Sequence, residues 1–495
     1  RRSSDLFRRK GGMHYTSIEN IHRVIDPLFL DALHDEFRAA RRKSKANRRH
    51  ALEAFQLKLA SLKFFDPACG SGNFLTETYL SIRSLENETI AALRDLGAPC
   101  EVLVSIENFY GVEINDFAVA VARTALWIAE NQMLKRTASI LDEELKFLPL
   151  TSAAHITQGN ALRLDWNEIV PNGVDYIIGN PPFVGHQWRS KDQVDDMTIA
   201  FHDLAKHGKL DYVCAWFNKA ADFMIGTTTR AAFVSTNSIV QGESVGILWR
   251  HLFDKDIHID FTHRTFKWIS DSDDMAAVFC VIVGFSHAPN DKPKIIFDGE
   301  KKIVAKNING YLLDAPDVFI PNRGKPLTPG LPIMTKGSQP TDGGHLLLNV
   351  EERDELLRRE PGAAKFIRPF IGAEEFIHGK RRYCLWLVDA TEDELRLPSI
   401  AARLEAVRRV RLKSATASVR AAAATPHLFT QIRQPSTSSI IIPRVSGERR
   451  KYVPIGLMPP TSIASDAMLL ILSDDRFLFG VLESSVHMAW MRAVA

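Results

Sequence analysis

From Leu62 to Phe285 short apolar runs alternate with longer stretches of helical periodicity, and this rhythm constrains the chain more than any other feature. Two strands that pair in parallel need a crossover of a dozen or more residues between them, and a helix is the usual way to make it. The runs predicted as strands are Leu62–Phe65, Phe109–Glu113, His155–Gln158, Asp175–Gly179, Ala231–Ser235, Ile257–Thr262 and Val278–Phe285. Seven such strands make one doubly wound, mostly parallel α/β sheet, in a domain over residues 61–286. Residues 1–60 are predicted as a helical segment with a basic middle, Arg38–Arg49. After Phe285, Pro289, Pro293 and the prolines from Pro316 to Pro340 punctuate the chain, so 287–320 is predicted as a linker and 321–495 as a second domain.

The 495 residues, 45% of them hydrophobic, can bury a large core and argue for two or three globular units. No apolar run reaches the roughly 18 residues of a membrane span. The amino terminus lacks the apolar stretch of a secretory signal, so a cytoplasmic protein without a membrane partner is expected. Five scattered cysteines (Cys69, Cys100, Cys214, Cys280, Cys384) with no Cys-x-x-Cys pair argue against a disulfide framework and a structural zinc, and no metal is expected. Residues 321–495 carry 25 Lys and Arg against 18 Asp and Glu, whereas residues 1–320 carry 37 against 41. A basic carboxy-terminal part fits a polyanionic partner, and fits an ordinary solvated surface as well. Because the chain lacks an initiating Met and stops inside the helix-like stretch Phe477–Ala495, it is expected to be a piece of a longer protein, with its second domain cut short.

The first predicted strand runs into Asp66-Pro67-Ala68-Cys69-Gly70-Ser71-Gly72-Asn73-Phe74-Leu75 and then a helix. Glycines at 70 and 72 let the backbone turn sharply and bring main-chain groups close to a ligand, although an ordinary tight strand-to-helix turn would look the same. The turn lacks the Gly-x-Gly-x-x-Gly spacing of dinucleotide enzymes, and the next strand ends in Glu113, which can accept both hydroxyl hydrogens of a ribose. A ligand with a ribose and an adenine but no phosphate fits this pair better than ATP or NAD does. S-adenosylmethionine is such a ligand.

The fourth strand delivers Asn180-Pro181-Pro182-Phe183 at its carboxyl end, where open sheets bind ligands. Asn-Pro also starts ordinary turns. An exocyclic base amine, or a carboxamide nitrogen, has a delocalised lone pair and is a poor nucleophile. Acceptors on its two hydrogens, the Asn180 side-chain oxygen and the Pro181 carbonyl, draw it toward tetrahedral geometry and stabilise the charge that develops during attack. The prolines fix φ and remove competing N–H donors, and Phe183 offers a face on which an extruded base can stack.

These three segments resemble motifs I, II and IV of amino-methylating DNA methyltransferases, whose adenine branch carries Asn-Pro-Pro-aromatic. Gly12-Met13-His14-Tyr15-Thr16 resembles the cofactor-capping motif X, placed ahead of the glycine turn as in the branch whose target-recognition domain is carboxy-terminal. The likeness is nearest to MmeI-like methyltransferases and spans nearly the whole chain. It includes Gly159–Leu162, Leu210–Val213, Ser235–Gly242, His263–Trp268, Phe366–Gly372 and Tyr452–Gly456. The resemblance implies a class I S-adenosylmethionine-dependent methyltransferase fold followed by an α+β target-recognition domain. It implies that Tyr15 and Thr16 cap the cofactor, that Asp66, Ala68, Gly70 and Gly72 hold its methionine end, that Glu113 binds ribose, and that Ile114 and Asn160 contact adenine. Asn180, Pro181, Pro182 and Phe183 would hold the target base, N6 of an adenine in double-stranded DNA. Position 160 carries Asn where the wider adenine methyltransferases usually carry Asp. Members often have an amino-terminal nuclease and a helical spacer ahead of motif X; no convincing Asp…Glu-x-Lys nuclease arrangement stands in residues 1–495, so a nuclease domain belongs to the expectation for a longer chain.

The helical pattern 398–424 puts Arg409, Lys413 and Arg420 on one broad face suited to phosphate contacts, with a solvated helix as the alternative. Between the strand-like runs Ser439–Arg444 and Tyr452–Gly456, a hairpin tip would let Glu448 accept from cytosine and Arg450 read guanine; an exposed charged turn is the other possibility. Two rival functions share the catalytic motif: a protein glutamine methyltransferase, and a methylase-like DNA-recognition module without catalysis. The basic second domain and the motif order favour DNA over the former, and the intact motifs argue against the latter.

Overall fold

The computed structural model describes residues 16–142, 154–268, 278–287, 293–321, 323–326, 328–447 and 450–494. The chain divides into two compact units, Arg1–Pro321 with Val494–Ala495, and Asn322–Ala493. In the first, β1 (Phe64–Asp66), β2 (Phe109–Glu113), β3 (His155–Gln158), β4 (Tyr176–Gly179), β5 (Arg230–Thr236), β6 (His258–Trp268), β7 (Val278–Ser286), β8 (Lys294–Asp298) and β9 (Lys301–Ala305) form one sheet. Its order is β3-β2-β1-β4-β5-β7-β6-β8-β9. Strands β1 to β5 are parallel, and β7 runs antiparallel between β5 and β6. The seven predicted strands are all present.

The stretch 287–320 is not the linker expected from its prolines. Lys294–Asp298 pairs in parallel with β6 and returns antiparallel as Lys301–Ala305. Gly299 makes the turn at φ +60°, in the left-handed region that tight hairpins require. The strand is short and follows two prolines, which masked its alternation.

Side-chain alternation along the strands builds a core on each face of the sheet. Phe65, Ile177, Ala231, Phe233, Val281, Val283 and Phe285 enter one core, and Phe64, Ile178, Ala232, Val234, Cys280 and Ile282 the other. Helices α1 (Ile18–Ile25), α2 (Asp31–Arg42), α3 (Lys45–Ser61), α4 (Asn73–Arg94) and α5 (Asp116–Leu141) supply the second core with Val24, Phe37, Leu52, Leu75, Ile82 and Leu126. Phe29, just after α1, packs its ring 5.2 Å from Phe64 and 4.8 Å from Tyr176. Arg230 of β5 donates to the Leu28 carbonyl at 2.8 Å and pairs with Asp260, locking the amino-terminal helices onto the sheet. On the other face lie α6 (Lys191–Ala200) and α7 (Cys214–Met224).

The second unit holds two four-stranded sheets. One is ordered β10 (Met334–Lys336), β17 (Met468–Ile471), β14 (Ser439–Pro443), β15 (Gly456–Met458); the other β11 (Leu347–Leu348), β13 (Tyr383–Leu385), β12 (Ile367–Ile371), β16 (Ile463–Ala464). The helix predicted over 398–424 breaks in two, α8 (Pro398–Leu412) and α9 (Ala417–Ala421). In α8 the buried stripe is Ile400, Leu404, Val407, Arg411, a helical spacing whose last member is an arginine. Arg411 is wholly buried and donates to five carbonyls, those of Pro340, Thr341, Ala422, Thr425 and Leu428, at 2.7–3.0 Å. It spans three chain segments with all five of its donors used. Among the described residues no helix is long and apolar enough to cross a membrane, and the five cysteines are free.

Removing Arg411 strands those carbonyls. Arg411→Ala should destabilise the second unit by at least about 3 kcal/mol, whereas Arg409→Ala, two residues away and exposed, should change it by less than about 0.5 kcal/mol. Chemical denaturation of both variants checks this.

Candidate functional site

The carboxyl ends of β1, β2 and β4 meet where the strand order reverses, between β1 and β4. Open sheets have their crevice at such a point. β1 ends in Asp66, 1% exposed, whose Oδ1 accepts the Ala68 amide at 2.9 Å. The turn then passes through Gly70 (φ +54°) and Gly72 (φ +84°), and Gly72 caps α4. A Cβ at 72 would lie 3.0 Å from the Ala122 Cα of α5, so glycine is required there by both conformation and space. Trp216 of α7 donates its indole N–H to the Pro67 carbonyl at 3.1 Å and fixes the turn from the opposite face of the sheet.

Glu113, at the end of β2, holds two loops at once. Its Oε2 accepts the Gly70 amide at 3.0 Å and its Oε1 the Asn115 amide at 2.8 Å. Each carboxylate oxygen keeps a second lone pair. Among the described residues, the hydrogen bonds to Asp66 and Glu113 come from backbone amides alone. Burial, against the Ala68 amide and helped by the Glu113 charge, pushes the Asp66 carboxyl from 3.8 up to about 8. Burial and the same two carboxylates raise the Cys69 thiol, making it a packing group rather than a nucleophile. Among the described residues no cation is bonded to either carboxyl, so the pair opposes a phosphate; a cationic group brought near Asp66 would draw off its proton, and the free lone pairs of Glu113 suit hydroxyls. Ile114, next in sequence, is 67% exposed. Among the described residues no group of three His, Cys, Asp or Glu is placed to hold a metal ion.

β4 brings its end against Asp66. A Cβ on Gly179 would approach Asp66 Oδ1 to 2.6 Å, so the bare backbone at 179 makes room for the carboxyl. Asn180 follows, and its Oδ1 is buried with no hydrogen-bond partner among the described residues. Pro181 is buried, Pro182 exposed, and the half-buried Phe183 packs against both cores. Val184 is gripped at both polar groups: its amide donates to Asp211 Oδ1 at 3.0 Å, and its carbonyl accepts the Tyr212 amide at 3.0 Å. Asp211 Oδ1 also accepts the Val213 amide at 3.2 Å, and burial raises its carboxyl above the ordinary range.

The structure thus brings Asp66, Ala68, Gly70, Gly72, Glu113, Asn180, Pro181, Pro182 and Phe183 together at neighbouring strand ends. Asn160 follows β3, where the Gly159 amide donates to the Glu113 carbonyl at 2.8 Å. Its Nδ2 donates to Asp196 Oδ2 at 3.0 Å and its Oδ1 accepts the Leu162 amide at 3.0 Å. Asp196, buried, also accepts Arg163 at 2.6 Å and the Tyr212 hydroxyl at 2.7 Å. Burial alone would raise its carboxyl; the bonds from Tyr212, Arg163 and Asn160 outweigh that and hold it low. An Asp at 160 would set two carboxylates against each other, which is a physical reason for the amide in this chain. Asp196 was missed in the sequence because its partners lie 16 to 36 residues away. Thr16 is buried, and Tyr15 lies outside the described residues.

The basic candidates of the second unit scatter. Arg409 is exposed and paired with Glu405 at 3.2 Å, and Lys413 is exposed at the end of α8. Arg420 lies on α9, not on one face with them, and its Nη1 donates to the Ser414 and Ala415 carbonyls at 2.8 and 2.7 Å, closing the break between helices. β14 and β15 do form an antiparallel pair, with the second strand starting at Gly456 rather than Tyr452. Arg450 is exposed between them, and Glu448 lies outside the described residues.

The MmeI DNA-methyltransferase domain matches residues 41–298, and the MmeI target recognition domain matches residues 314–495. "DNA methyltransferase A" of Bacillus subtilis (strain 168) is 38% identical over 491 residues, 98% of this chain. The chain spans 55% of that protein's length. The type IIL restriction-modification enzyme MmeI, solved in complex with DNA, superposes with a TM-score of 0.92 at 41% identity, covering 99% of this chain and 66% of that one.

The raised Asp66 carboxyl predicts a pH signature. The folded protein keeps this proton at pH values where the unfolded chain has released it, so the stabilisation present below pH 4 is lost progressively as pH rises from about 4 to about 8. Asp66→Asn removes the titration. Chemical denaturation between pH 5 and 8 should therefore show the variant gaining on the wild type as pH rises, and parallel curves would contradict the assignment.

Proposed function

This chain belongs to the MmeI family, a DNA-methyltransferase domain followed by a target recognition domain, and on that premise we propose that it methylates N6 of an adenine rotated out of double-stranded DNA, as the modifying part of a restriction-modification system. The observation that carries the reading is the Asn180 side-chain oxygen, buried at the end of β4 and without a partner among the described residues. An unsatisfied buried acceptor costs about 1–3 kcal/mol and asks for a donor that arrives from outside. An exocyclic amine supplies one.

S-adenosylmethionine, when bound, supplies an electrophilic methyl on a sulfonium. The residues around it divide the work. Asp66 offers its buried carboxyl to a cationic amine, and Gly70 and Gly72 let the backbone come close. Glu113, already fixed by the Gly70 and Asn115 amides, has lone pairs left for two ribose hydroxyls. Ile114 offers an exposed apolar surface to an adenine, with the remaining acceptor of Asn160 at its edge, and Tyr15 and Thr16 close over the cofactor. Asn180 Oδ1 and the Pro181 carbonyl then accept the two hydrogens of the target amine and stabilise the charge growing on nitrogen. Phe183, braced from both cores, stacks on the base. Pro182 keeps the turn rigid. In the second unit Arg409 and Lys413 would contact phosphate, and Arg450, with Glu448, would reach base edges.

Incubation of the purified chain with labelled S-adenosylmethionine and duplex DNA tests the reading. Label should enter DNA with the wild type. With Asn180→Ala the rate should fall at least about 100-fold, while cofactor affinity by titration calorimetry stays within about threefold. Label in protein alone, or an undiminished rate in the variant, would overturn it.

A further inference from the structure

The loop leaving the Asn-Pro-Pro-Phe turn carries Trp188, which at 83% is the most exposed large hydrophobic side chain among the described residues. Its backbone is fixed on both sides. Val184 is held by Asp211 and Tyr212, and the Trp188 amide closes a turn onto the Gly185 carbonyl at 2.8 Å. Beyond it the Arg189 guanidinium is drawn inward: Nη2 donates to the Gly208 carbonyl, while Nε and Nη1 are buried without partners among the described residues. Ser190 then caps α6, reciprocated by Gln193. An indole held out in water on so fixed a backbone contributes nothing to the packing of the free protein. Its position names the partner. The loop leaves the turn assigned to the target base, and across 184–209 Arg189, Lys191, Lys206 and Lys209 balance Asp192, Asp195, Asp196 and Asp203, so no net negative charge keeps a phosphate backbone away. Five residues separate Trp188 from Phe183, a reach of at most about 17 Å, comparable with the roughly 12 Å width of a major groove.

We propose that Trp188 stacks against the duplex at the target base pair and holds the space that the rotated adenine leaves. The inference rests on the DNA-methyltransferase reading above. A planar indole is suited to the role because every base offers a π-face and the contact is indifferent to sequence.

The test begins with the wild-type chain and plasmid DNA, whose methylated positions, found by sequencing, define the substrate duplex. Failure at this stage sinks the parent reading rather than the role of Trp188. The rates of Trp188→Ala and Trp188→Phe are then measured on that duplex and on one with an abasic site opposite the target adenine, where opening is cheaper. Trp188→Ala should lose kcat/KM about 10- to 100-fold on the paired duplex, recover most of it on the abasic one, and keep cofactor affinity and Tm unchanged. Trp188→Phe should retain most activity. Wild-type rates in Trp188→Ala, or an equal loss on both substrates, would overturn the proposal.

Discussion

The Glu113 carboxylate joins the end of β2 to the turn after β1 by accepting amides from both, and the architecture of the site depends on that pair of bonds. Without it the Gly70–Gly72 backbone would have no fixed distance from the neighbouring strand. Asp66, one strand over, is buried against the bare backbone of Gly179. Two carboxyl groups are therefore set into the crest of one sheet without an arginine or lysine bonded to either among the described residues. A buried carboxyl with no cation beside it is held in its neutral form, and the upward shift of Asp66 records that cost.

The same crest explains why the Asn180 acceptor and the glycine turn are neighbours. β1 and β4 pair in parallel with Phe64 opposite Tyr176, so Asp66 and Asn180 emerge side by side although 114 residues separate them in sequence. Asp211 and Tyr212 grip the chain just beyond Phe183, and Trp216, in the helix that begins two residues after Tyr212, is tied to Pro67. One short segment, 211–216, thus braces the glycine turn and the Asn-Pro-Pro-Phe turn together.

Local chemistry made much of this legible beforehand. Glycines at a strand-to-helix turn, an acid at the next strand end and Asn-Pro-Pro-Phe at the fourth are contiguous signals, and the structure places them at adjacent strand ends. What escaped was non-local or disguised. Asp196 joins Asn160, Arg163 and Tyr212 across the fold, and no spacing announces it. β8 and β9 were hidden behind Pro289 and Pro293. Arg411 stands among several arginines in the helical pattern 398–424. Its position in the series Ile400, Leu404, Val407, Arg411 was the available clue, since a residue in phase with an apolar stripe is buried whatever its charge. Arg420 was misplaced for a related reason: the break at 413–416 carries neither Pro nor Gly, and the guanidinium that looked available to phosphate partly caps that break.

The central claim is that the buried acceptor Asn180 receives the amino group of adenine. The most direct measurement is mass spectrometry of nucleosides from plasmid DNA treated with the purified chain and S-adenosylmethionine. The account predicts N6-methyldeoxyadenosine as the one new modified nucleoside. Methylated deoxycytidine in its place, or unmodified DNA beside methylated protein, would contradict it.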